Sequence, residues 1–349
     1  MKKISLLKII ATIVIVGLIG MVSYNMFDKK DTYSTANYYL DTVNNISVLN
    51  TRKSKADKLL PKVDKLILDI HNKMSSQMNS SEISAINMAA GIRPVKVSSD
   101  TFNVIKIAEG YSKITDHKFD VSIGPLTSLW NIGNDKARVP SEDEIKPLLG
   151  LVNYKDIVLN EKESTVFLKK SGMKLDVGGI AKGYCADKVA DLLKSNGIKD
   201  AIINLGGNVY VFGHNSQGKN FSVGIQNPTT PEQKSMGIVV LTDKSVVTSG
   251  VYERYIEKDG KIYHHMLDPE TGYPFDNNLQ AVTIISEKSI DADALSTSTF
   301  GLGIEKGRKF IDSIDGVDAI FITKDRKVYT TKNIKNKLEI TDDSFKLAD

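Results

Sequence analysis

The stretch Lys174-Leu-Asp-Val-Gly-Gly-Ile-Ala-Lys-Gly-Tyr-Cys-Ala-Asp187 leaves the backbone few ways to run. Met173–Val177 has the pattern of a short strand with an acid at Asp176, and Gly178-Gly179 then permits a tight turn with close backbone approach. Beyond the turn, Cys185, Val189, Leu192 and Leu193 recur at helical spacing until Gly197 stops the pattern. Strand, glycine turn and helix start together present free N–H groups, a cradle suited to phosphate, and Lys182 adds a point charge. An ordinary strand-to-helix turn has the same pattern. Tyr184 stands where a Walker loop needs Lys followed by Ser or Thr, and no G-x-G-x-x-G occurs, so neither named phosphate motif applies.

The rest of the chain predicts an α+β fold. Lys55–Met78 places Leu59, Leu60, Val63, Leu66, Ile67, Ile70 and Met74 on one helical face. Asp100–Thr115 is amphipathic again, and Pro140–Leu149 reads as a helix capped at Ser141. After the central stretch, short strands dominate: Ala201–Leu205, Tyr210–Phe212, Phe221–Gln226, Gly237–Leu241 and Ser245–Thr248. Asp259-Gly260 between apolar runs marks a hairpin, and Asp318–Thr323 with Lys327–Thr331 forms another. Asp291–Ile314 has helical character, and helices and antiparallel strands mix without strict βαβ alternation.

At the N-terminus, Lys2, Lys3 and Lys8 precede an uncharged apolar run, Ile9–Val22, with a weaker continuation to Phe27. A positive start followed by such a run is an export signal. It reads as a retained single membrane anchor with the globular part extracytoplasmic; cleavage would give a secreted protein. The expected divisions are residues 1–30 as anchor, 31–38 as a polar tether and 39–349 as one domain. Residues 31–349 carry 41 basic and 41 acidic side chains, so nothing there calls for nucleic acid. The single cysteine, Cys185, cannot form an internal disulfide and lies on the apolar helix face.

Two further segments have chemistry in them. Asp293 and Thr297 are four apart on one helical face and offer hard oxygen ligands, suited to Mg²⁺ rather than zinc. An acidic first turn facing the helix dipole has the same appearance. His264-His265 sits in a loop rich in proline and glycine, and histidine is the usual general base near neutral pH. His71, His117 and His214 read as surface or packing residues. Without H-E-x-x-H or G-x-S-x-G, neither a zinc protease nor a serine hydrolase fits. Together these features point to metal-assisted chemistry at a phosphate anhydride.

Seven segments also occur in the order found in one family. They are Ser81–Asn87; Phe119–Leu126 with Leu129–Gly133; Leu175–Tyr184 with Asp187; Asn204–Asn208; Thr248–Gly250 with Tyr252–Tyr255; His265–Gly272; and Ala292–Thr297. From about Tyr39 to about Phe321 the chain resembles the ApbE family, the FAD:protein FMN transferases. The resemblance implies an ApbE-like, T-fold-related body of mixed and antiparallel sheets with flanking helices and an FAD cleft between subdomains. It implies Mg²⁺-dependent transfer of FMN from FAD to a threonine hydroxyl of an extracytoplasmic flavoprotein, releasing AMP. The acceptor threonine would lie in a Ser/Thr-Gly-Ala-Ser/Thr-type sequence. A hydrolase splitting FAD into FMN and AMP, or a surface module that only binds flavin, would use the same segments.

Carried over by motif, Leu40, Gln77, Phe119, Asp120, Val121, Asp176, Lys182, Ser249, Gly250 and Leu267 are expected FAD contacts. The Gly179 carbonyl, Asp293, the Ser296 carbonyl and Thr297 are expected to hold the metal. His265 is expected to take the acceptor's proton while Asp268 fixes its loop. Two positions depart from the family: Leu40-Asp-Thr42 replaces Met-Gly-Thr, and Gln77 replaces a flavin-stacking aromatic. Either Tyr38 or Trp130 is then expected to cover the flavin, or affinity falls.

Overall fold

The computed structural model describes residues 28–230 and 234–348. The anchor expected at residues 1–30 lies, up to residue 27, outside the described residues, and no described helix is long and apolar enough to cross a membrane. The helices are α1 (Lys53–Met74), α2 (Glu82–Met88), α3 (Ser99–Ile114), α4 (Gly124–Trp130), α5 (Glu142–Leu149), α6 (Ala181–Ser195) and α7 (Ser289–Ile311). Ser81 caps α2 and Ser98 caps α3 through their side chains, and Ser141 with Glu144 forms a capping box on α5.

A nine-stranded sheet organises the molecule. Across it run Lys30–Tyr39, Thr42–Arg52, Asp200–Leu205, Asn208–Phe212, Lys244–Gly250, Leu279–Ser286, Asp318–Thr323, Lys327–Thr330 and Lys346–Leu347. All neighbours are antiparallel except the last pair. Alternation along the strands loads both faces. Ile46, Val48, Ile203, Val282 and Ile284 pack toward α1, α6 and α7, whereas Val246, Ile285, Ile320 and Ile322 pack toward a small sheet built on Phe221–Gln226 and Ser235–Leu241. The α+β expectation is met, with helices flanking the main sheet.

The tether expected at 31–38 is instead most of the first strand, Lys30–Tyr39. Its polar residues suit a sheet edge, where Thr35 and Asn37 donate to Asp64 of α1 at 2.8 Å. The strand expected at Met173–Val177 shrinks to a single bridge between Lys174 and Ile123. The Asn87 side chain takes a neighbouring strand's place there, accepting from the Leu175 N–H at 2.7 Å and donating to the Leu175 carbonyl at 3.0 Å. The Asp259-Gly260 hairpin forms as expected, with left-handed φ at both residues.

Candidate active site

The crossing of α6 and α7 builds the centre of the site. The two helices touch at Gly183, where an added Cβ would lie 2.4 Å from the Ser289 carbonyl oxygen. Asp187 on α6 caps α7, accepting from the Ser289 and Ile290 N–H groups at 2.8 and 3.0 Å. Asp293, one turn further along α7, accepts from the Gly183 N–H at 2.8 Å. The Gly179 turn therefore faces Asp293 and Thr297. A Cβ built on Gly179 would be 3.6 Å from Thr297 Oγ1 and 3.2 Å from the Phe119 ring.

These residues line one cavity of about 1220 Å³. Its wall includes Leu40, Gln77, Phe119, Asp120, Asp176, Gly179, Lys182, Ser249, His265, Leu267, Asp293 and Thr297, most of the residues singled out in the sequence. Asp293 is buried, and burial raises its pKa against the pull of Lys182 and of the Gly183 and Lys182 N–H groups. Ser296 is fully buried; its hydroxyl bonds Ser249 Oγ and the Asp293 carbonyl, each at 2.8 Å. Ser249 Oγ is in turn 3.4 Å from Thr297 Oγ1. Asp293, Thr297 and the main-chain carbonyls offer oxygen ligands only, the set that a hard divalent cation takes. Among the described residues no three His, Cys, Asp or Glu side chains cluster as ligands.

His265 is half-buried, and burial pushes its pKa down to about 3, so the ring is neutral across the physiological range. The Arg254 carbonyl lies 3.2 Å from its Nδ1 and accepts there, which places the proton on Nδ1 and leaves Nε2 with the lone pair. Asp268 fixes the loop as expected: its carboxylate accepts from the Glu270 N–H and from Lys118, and its main chain bonds Tyr273 and Gly272.

Several expectations change. Much of the phosphate cradle is occupied from within: the Gly178 N–H donates to Asp176, those of Ile180 and Ala181 to the Val177 carbonyl, and that of Gly183 to Asp293. Val121 is fully buried and contributes only its carbonyl, to the Asp176 N–H at 2.9 Å. Asp120 borders the cavity, but its carboxylate is taken up by His117, Ser122 and the Tyr154 N–H. Gly250 sits under Tyr252, whose ring would lie 2.4 Å from an added Cβ. Of the two proposed covers for the flavin, only Trp130 borders the cavity. Tyr38 is 67% exposed on the edge strand, and Trp130 is fully buried with its Nε1 donating to Gly272.

Four residues were not singled out for these roles. His71 lines the cavity and accepts from the Leu40 N–H at 3.2 Å, so it is more than a packing residue. Glu253 and Arg254 reach the cavity from the Tyr252–Tyr255 segment, whose motif was visible without its roles. Glu253 is exposed, and the crowding of protein around it raises its carboxyl pKa against the pull of Lys182 and Arg254. Asp187 was marked by the central stretch and by its family segment, but without a role.

The ApbE family model matches residues 40–321. The chain belongs to the ApbE family. It is 39% identical over 296 residues to an FAD:protein FMN transferase of Klebsiella pneumoniae (strain 342), a match covering 85% of this chain and 92% of that one. A Treponema pallidum (strain Nichols) protein of the same name is 34% identical over 329 residues, covering 90% of this chain and 91% of its own. The crystal structure of the Thermotoga maritima ApbE protein superposes with a TM-score of 0.81 at 30% identity, covering 88% of this chain and 99% of that one. The flavin transferase ApbE of Vibrio cholerae gives 0.79 at 27%, covering 88% of this chain and all of the other. The ApbE architecture thus extends over nearly the whole described chain.

Proposed function

We propose that this ApbE-family chain is an FAD:protein FMN transferase that moves FMN from FAD to a threonine hydroxyl of an extracytoplasmic flavoprotein and releases AMP. The observation that carries this reading is the meeting, around one cavity, of the Gly179 turn, the Asp293–Thr297 face and His265. Relatives that align over most of the chain have the same activity in their names.

Mg²⁺ bound at the Gly179 carbonyl, Asp293, the Ser296 carbonyl and Thr297 would neutralise charge on the diphosphate. The chain's own residues do the rest. Lys182 lies beside the Gly178 carbonyl at 3.3 Å and brings a positive charge to the anhydride. The neutral His265 accepts the threonine proton at Nε2 as the hydroxyl oxygen bonds to the FMN phosphorus. The bond from that phosphorus to the bridging oxygen breaks, and AMP leaves with the oxygen. Asp187 and Gly183 hold the two helices in register so that these groups share one cavity.

The acceptor threonine belongs to a Ser/Thr-Gly-Ala-Ser/Thr-type segment, and the segment before Asp28 anchors the enzyme with its catalytic domain outside the cytoplasmic membrane. The test is incubation of the full chain with FAD, Mg²⁺ and an acceptor domain, followed by in-gel flavin fluorescence after denaturation. Covalent label is expected on the acceptor; free FMN and AMP without label would mean hydrolysis, and unchanged FAD a binding module. Asp293→Ala is expected to abolish the label, and labelling at the wild-type rate would remove the metal assignment.

A further inference from the structure

Leu40 and Asp41 join the first two strands in a two-residue turn, with Tyr39 opposite Thr42, and both have left-handed φ, 56° and 57°. Turns of this hand favour Asn-Gly, because a Cβ is crowded there, and Leu-Asp suits them poorly. Such strain persists where surrounding structure over-determines it, and it gathers at ligand clamps and active sites. Two remote side chains hold this turn. His71 Nδ1 accepts from the Leu40 N–H at 3.2 Å, and Arg254 Nη2 donates to the Asp41 carbonyl at 3.0 Å. Gly133, at φ 92°, makes room for the arginine, since a Cβ there would lie 3.0 Å from Arg254 Cδ. The carbonyl of the same arginine accepts from the His265 main-chain N–H at 3.1 Å and from its Nδ1 at 3.2 Å.

We propose that Arg254 is the positioning residue for His265: its guanidinium clasps the Leu40–Asp41 turn, and its carbonyl is thereby held against the imidazole. This role rests on the transferase reading above, in which His265 takes the hydroxyl proton. One fixed carbonyl bonding both the backbone and the ring of His265 selects a single rotamer and the Nδ1–H tautomer. Without the clasp, the 251–254 segment loses its tie to the turn, and Nε2 presents its lone pair only part of the time. Arg254 needs no contact with FAD for this.

Imidazole ¹⁵N shifts report the tautomer in the protein alone, with the His265 signals assigned by their loss in His265→Asn. The wild-type protein should show one Nδ1–H form at pH 7.5. Arg254→Ala should show both tautomers and a kcat for FMN transfer lower by about tenfold or more, with KM for FAD within about threefold. Arg254→Lys can still donate to Asp41 and should recover a single tautomer and most of kcat. If melting shows that Arg254→Ala does not fold, Arg254→Gln, shorter and uncharged, takes its place with the same expectation. A single unchanged Nδ1–H tautomer in the loss-of-clasp variant would overturn the assignment. So would a raised KM for FAD at unchanged kcat, which would make Arg254 a substrate ligand. If wild-type protein transfers no FMN while the tautomer responds as stated, the activity reading fails and the positioning of His265 by Arg254 stands.

Discussion

Replacing Gly183 with alanine tests whether the α6–α7 crossing sets the geometry of the site. The added Cβ would lie 2.4 Å from the Ser289 carbonyl oxygen and 2.6 Å from Ile290 Cα, both main-chain atoms that cannot swing aside. Ordinary contact begins near 3.4 Å, so the helices must part by about 1 Å. Overpacking of this kind costs about 1–3 kcal/mol. Stretching the 2.8 Å bond from the Gly183 N–H to Asp293 adds to it, and alanine's better helix propensity returns at most about 1 kcal/mol. A net loss of about 1–3 kcal/mol is therefore expected in a urea titration. The rate should suffer more, because a 1 Å misplacement in a catalytic arrangement costs about 100-fold. Initial rates of covalent flavin labelling, taken well below the variant's melting temperature, separate the two effects. Gly110→Ala in α3 is the control: its Cβ meets nothing within 4 Å, so it should stabilise by up to about 1 kcal/mol at an unchanged rate. A folded Gly183→Ala protein that labels at the wild-type rate would refute the claim that this contact places Asp293 against the Gly179 turn.

Other consequences are as direct. With its pKa pushed from 6.5 to about 3, His265 stays neutral in the folded chain while the unfolded chain takes up a proton. Its contribution to stability is thus complete above pH 6.5 and is lost as pH falls toward 3. Its Cε1 proton resonance should not titrate between pH 8 and 5, and a midpoint near 6.5 would contradict the burial argument. Asp28 accepts from Ser54 N–H and Oγ at 2.7 and 2.9 Å, capping α1 where Arg52 makes no side-chain cap. A chain begun at residue 31 should therefore be less stable than one begun at 28 by about 1–2 kcal/mol, and equal urea midpoints would dismiss the cap. Removing divalent cations with a chelator should weaken FAD binding by about tenfold or more in a flavin-fluorescence titration. Unchanged affinity would count against a cation in the Asp293 site.

Where local pattern determines structure, the sequence was enough. The apolar face of α1, the Ser141 cap of α5, and the Asp259-Gly260 hairpin depend on residues a few positions apart. The edge strand at 30–39 was hidden because its polar side chains bond Asp64 on α1, which no periodicity announces. Leu175 lost its strand to Asn87, a residue 88 positions away. In the site, His265, Asp293, Thr297, Lys182 and Asp176 could be named from their motifs. Arg254 and Asp187 could not be given roles, because those come from bonds across 213 and 102 positions.

The glycine turn shows most clearly what sequence leaves out. Helix N-termini bind anions through unpaired N–H groups, and by that rule the Gly178–Gly183 segment should cradle a diphosphate directly. Here Asp176 and Asp293 accept from N–H groups of this segment, and one of the two arrives from α7. Two carboxylates at the turn, with Glu253 on the same cavity wall, leave Lys182 and Arg254 as opposing charges close by. A dianionic anhydride entering such a site meets repulsion worth about 4 kcal/mol per unit pair at 4 Å under surface-like screening. Most N–H groups of this helix start are thus spent on the protein's own acceptors, and the start of α6 serves to position Asp293; the attraction for the anhydride would come from Lys182, Arg254 and any cation taken up at Asp293. A carboxylate brought from a second helix thus turns the start of α6 into one wall of oxygen acceptors, which is why the α6–α7 contact at Gly183 bears so directly on the geometry of the proposed site.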